Sequence, residues 1–78
     1  RDLVEGVREA TAQRILEGLG AAANPRARIA VHGWLWFMDG ACLGWIAHRD
    51  LSRAELHALL LGTLGGALVA AGVSFPSA

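Results

Sequence analysis

Seventy-eight residues make one small domain at most, and a domain of that size buries only a modest part of its surface when alone. At 54 % hydrophobic and 18 % charged, the chain is too apolar for disorder and unusually apolar for a free-standing domain this short, so part of its apolar surface is expected to meet another chain. Arginine and acidic residues balance at seven each, lysine is absent and no basic cluster could neutralise several phosphates, which excludes nucleic-acid binding by this segment alone.

The first predicted element is a helix over about 2–19. It carries Val4, Val7, Ile15 and Leu19 near helical spacing, with Glu5, Arg8, Glu9 and Arg14 elsewhere. Gly20 suits a left-handed cap, and Asn24 followed by Pro25 supplies an N-cap and a first-turn proline for a second helix over 25–48. That helix has no internal proline and ends in His48 and Arg49, which suit the negative end of its dipole. "LSRAEL" then places Ser52 three residues before Glu55, the signature of a reciprocal N-terminal cap, and opens a third helix over 53–71. Gly72 and Pro76 cannot continue it. No strand pattern competes, so the fold class is all-α with three helices.

At 100° per residue the third helix has one arc of large side chains, Leu56, Leu60, Leu61, Leu64 and Leu68, and one of small ones, among them Ala58, Gly62, Gly65, Gly66, Val69 and Ala70. Interior helix glycines cost about 1 kcal/mol each against alanine, and close helix approach is the expected compensation. In the second helix, Gly33, Gly40 and Gly44 line one seam. Trp34, Met38, Ala41 and Trp45 line another, and Ile29, Trp36, Leu43 and Ala47 a third. Aromatics at this spacing read first as packing. Only Arg28, His32 and Asp39 form a polar stripe, which either faces water or borders a ligand.

Catalytic chemistry finds no foothold. Cys42 has no base at a spacing that secures a hydrogen bond, and His48 and His57 match no recognised zinc pattern, so neither an enzyme nor a metal or other cofactor is expected. The lone cysteine excludes a disulfide framework, and "RDLVEGVREA" lacks a signal-peptide core, so the cytoplasm is the expected location. The alternative is a two-helix membrane hairpin packed through Gly62 and Gly66, since residues 58–78 carry no charge. Asp39 at the centre of the second helix opposes it. The opening Arg1, rather than Met, leads us to expect a piece of a longer protein.

The stretch "RARIAVHGWLWFMDGACLGWIAHRDLSRAELHALLLGTLGGAL" resembles the C-terminal part of TetR-family transcriptional regulators. The residues that carry the likeness are Arg28, Trp34, Phe37, Trp45 and the run Asp50 to Leu56. The resemblance implies that residues 1–78 belong to a ligand-sensing and dimerisation domain, whose last two helices pair with those of a two-fold partner as a four-helix bundle. It further implies a homodimer with no membrane role, and a small, largely apolar effector. That effector would alter operator DNA binding by an N-terminal helix-turn-helix lying outside this chain. Under this reading His32, Leu35, Trp36, Asp39 and Leu43 are the candidate ligand-binding residues, and Trp45, Ala58, Gly62, Gly66, Val69 and Ala70 the candidate dimer interface.

Overall fold

The computed structural model describes residues 3–73, and these form three helices with no strand among them: α1 (Leu3–Gly18), α2 (Pro25–His48) and α3 (Arg53–Ala70). Each expected boundary holds to within a residue; Asp2 and the tail with Pro76 lie outside the described residues. The ends follow local chemistry. The Asn24 side chain accepts from the backbone N–H groups of Arg26 and Ala27 at 2.9 and 3.2 Å, satisfying two orphan donors of α2. At α3 the Ser52 hydroxyl accepts from the Glu55 N–H at 3.0 Å while the Glu55 carboxylate accepts from the Ser52 N–H at 2.8 Å, so the reciprocal cap is complete.

The C-termini of α1 and α3 use one device. Gly20 (φ 68°) and Gly72 (φ 85°) turn left-handed, and the next residue in each case donates back five positions, Ala21 to Leu16 at 2.8 Å and Val73 to Leu68 at 2.9 Å. α2 ends differently: Arg49 itself takes the left-handed conformation, at φ 54°. Its guanidinium lies 4.4 Å from the centroid of the Trp45 ring, an attraction that offsets part of the backbone cost.

α2 is the central element, with α1 and α3 both packed on it. α3 returns antiparallel, pinned at three levels. The Asn24 amide donates to the Ala71 carbonyl at 3.3 Å, the Trp34 indole to the Leu60 carbonyl at 2.9 Å and to the Thr63 hydroxyl at 3.1 Å, and the Trp45 indole to the Leu51 carbonyl at 2.6 Å. Ala12 and Leu16 of α1, Ala27, Val31 and Leu35 of α2, and Leu68 and Ala71 at the end of α3 form the core, with Trp34, Met38 and Leu64 packed against it. The buried residues of α2 all lie in its first half.

The result is a flat molecule, 38 × 38 × 17 Å. Its radius of gyration is 13.5 Å, where a compact chain of this length has about 11.5 Å. Its surface is 5442 Å², where a folded monomer of this mass exposes about 4500 Å². Among the described residues α1 and α3 each pack on α2 and not on one another, which leaves one side of α2 and α3 uncovered.

Candidate functional site

Two regions gather the residues singled out from the sequence. The first is the seam between α1 and α2. His32 is half-buried and Trp36 is 58 % exposed. Asp39 forms an ion pair with Arg8 of α1, whose guanidinium also lies 3.9 Å from the Trp36 ring centroid. A recess of about 160 Å³ is lined by Arg8, Glu9, His32 and Trp36, and an open groove of about 460 Å³ continues from it along Arg28, Ile29, Gly33 and Trp36. The structure therefore brings His32, Trp36 and Asp39 to one seam. It places the other two candidates elsewhere: Leu35, 3 % exposed, is part of the core, and Leu43, 68 % exposed, faces outward.

Arg8 and Glu9 escaped the sequence reading because they stand on another helix, far from His32 in the chain. A charged residue on an amphipathic helix carries no local mark of its partner. Asp39 follows the same logic in reverse. Its carboxylate in the middle of an apolar helix had no visible partner in sequence, and the partner arrives from α1. The pair is partly solvated, at 19 % and 44 % exposure, so its main effect is to fix where α1 lies rather than to add much stability.

The second region is an uncharged face shared by α2 and α3. α3 turns Leu56, Leu60, Leu64 and Leu68 inward, so the large arc is the one that meets α2. Leu61, which the sequence grouped with them, is instead 54 % exposed, because it lies about 100° round the helix from Leu60. Ala58, Gly62, Gly66, Val69 and Ala70 are exposed, with Leu59 beside them. α2 exposes Ile29, Gly33, Phe37, Gly40, Leu43 and Gly44. Trp45 is only half-buried, but its indole N–H is already used at the α2–α3 turn.

The glycines bear on this face directly. A Cβ added at Gly33, Gly40, Gly44, Gly62, Gly65 or Gly66 would meet nothing within 4 Å. The close helix approach expected to offset their cost is therefore not made inside the chain, because the leucine arc, not the glycine arc, meets α2. The small residues line open surface.

Among the described residues no three His, Cys, Asp or Glu side chains are grouped to hold a metal. No helix of the described residues is long and apolar enough to cross a membrane, which weighs against the hairpin reading of Gly62 and Gly66. Comparison of the chain with family models, with curated proteins and with solved structures finds no match in any of the three.

Proposed function

We propose that this chain is the effector-sensing and homodimerisation part of a TetR-like transcriptional regulator. The observation that carries the reading is the continuous uncharged face of α2 and α3, lined by glycines that serve no contact within the chain. Contiguous apolar surface rimmed by polar groups is the ordinary mark of an association site. A standard interface takes about 800 Å² from each partner. The excess of this chain's 5442 Å² over an ordinary monomer is of the same order. Two copies meeting through a two-fold axis would pack four helices into a second layer and close each core.

The α1–α2 seam is the sensing element in this proposal. An effector held by His32, Trp36 and Asp39 would act on the Arg8–Asp39 ion pair that ties α1 to α2, and so on whatever α1 is joined to. Coupling requires that the effector prefer one spacing of the DNA-reading heads; by linkage, DNA then weakens effector binding to the same degree. The role is binding and association, without catalysis.

Sedimentation equilibrium across protein concentrations is the direct test. A reversible dimer supports the proposal, and a monomer at all concentrations removes it. Where the intact regulator binds its inducer unchanged after His32→Ala and Asp39→Ala, the assignment of the seam is wrong even if the dimer stands.

A further inference from the structure

A second groove lies between the second half of α2 and the first half of α3. It measures about 580 Å³ and is lined by Cys42, Trp45, Ile46, Arg53, Leu56, His57 and Leu60 among others. That volume falls within the usual range of small-molecule sites, which are mostly apolar with a few placed polar groups.

Its walls are sorted by chemistry. Ile46, Leu56 and Leu60 are aliphatic, and the Trp45 ring is held in place by its hydrogen bond to the Leu51 carbonyl. The side chains that can carry charge, Arg53 and His57, are both basic, and among the described residues no acidic one lines the groove. Arg49, stacked on Trp45, adds a third basic group at the same end. The nearby carboxylate of Glu55 is taken up in capping the Ser52 N–H. Among the described residues the ion pair is Arg8–Asp39, and neither Arg53 nor His57 takes part in one.

The geometry points to a binding site for an amphipathic monoanion, an alkyl carboxylate whose tail lies along Ile46, Leu56 and Leu60 and whose head meets Arg53 and His57. Guanidinium matches carboxylate in charge and planar geometry. Burial of the tail supplies most of the affinity, and the basic pair supplies the preference for an anion. The site shares only Trp45 with the candidate dimer interface, and the association state read beside the protection tells the two proposals apart.

The chain's single cysteine makes the test direct, because Cys42 lines the groove and is half-buried. The rate at which iodoacetamide alkylates Cys42 is followed in the 78-residue chain while octanoate is titrated, with octanamide as the uncharged isostere. Saturable protection is expected with octanoate at an unchanged sedimentation coefficient, and octanamide should bind about fivefold more weakly. Arg53→Gln with His57→Gln should abolish that difference, and Arg53→Lys should keep most of it. Circular dichroism is expected to stay unchanged in each variant, since both side chains are exposed. The site is disproved by protection that never saturates, by octanamide protecting as well as octanoate, by a preference for octanoate that survives loss of both basic groups, or by protection that merely tracks a change in association state.

Discussion

Replacing Gly66 by leucine separates folding from association. Gly66 is exposed in the middle of the α3 small-residue arc, and a Cβ added there meets nothing within 4 Å in its own chain. Within a monomer the change removes a helix-interior glycine, a gain of about 1 kcal/mol. That gain falls on free and associated chains alike and leaves the dissociation constant untouched. At a two-fold contact the added side chain enters twice. Overpacking costs about 1–3 kcal/mol per site, so association should weaken by about 2–6 kcal/mol, or roughly thirty-fold to twenty-thousand-fold in Kd. Sedimentation equilibrium gives the association constant, and circular dichroism the fold. Gly6→Leu is the matched control, since it also enters open space but on α1, away from the face. A Gly66→Leu chain that is helical and monomeric is the expected result. One that dimerises with wild-type affinity refutes the placement of the interface, and one that unfolds refutes the claim that the glycine arc is open.

Other changes test the remaining links. Leu68→Ala empties a site that is 1 % exposed in the core cluster, and should lower the unfolding free energy by about 2–5 kcal/mol in denaturant titration. Ser52→Ala removes the acceptor for the Glu55 N–H and should cost about 1 kcal/mol by the same assay, with α3 fraying from its start. A double-mutant cycle on Arg8→Ala and Asp39→Ala should give a coupling below about 1 kcal/mol, because Asp39 remains 44 % exposed; a value several times larger would mean that the pair is the main tie between α1 and α2. In a binding titration against duplex DNA at several salt concentrations, this chain should show no salt-sensitive affinity, since its net charge is zero; tight sequence-selective binding would place the DNA-reading function here after all.

Everything that depends on near neighbours in the chain could be read before the fold was known. Asn24–Pro25, the Ser52–Glu55 cap and the Gly20 and Gly72 stops act within one helical turn, so the three helices followed from local chemistry to within a residue. Helical periodicity likewise sorted the large from the small residues of α3 around one axis, while which of the two arcs meets α2 was left to the fold. What the periodicity could not supply is the direction in which each arc points relative to a third helix. α1 covers the first half of α2 and reaches beyond it to Asp39 through Arg8; this draws Leu35 into the core, gives Asp39 its arginine, and leaves Leu43, Leu61 and the glycine seams bare. Those outcomes turn on contacts between residues distant in sequence, where packing geometry rather than local propensity decides which of several apolar faces is covered.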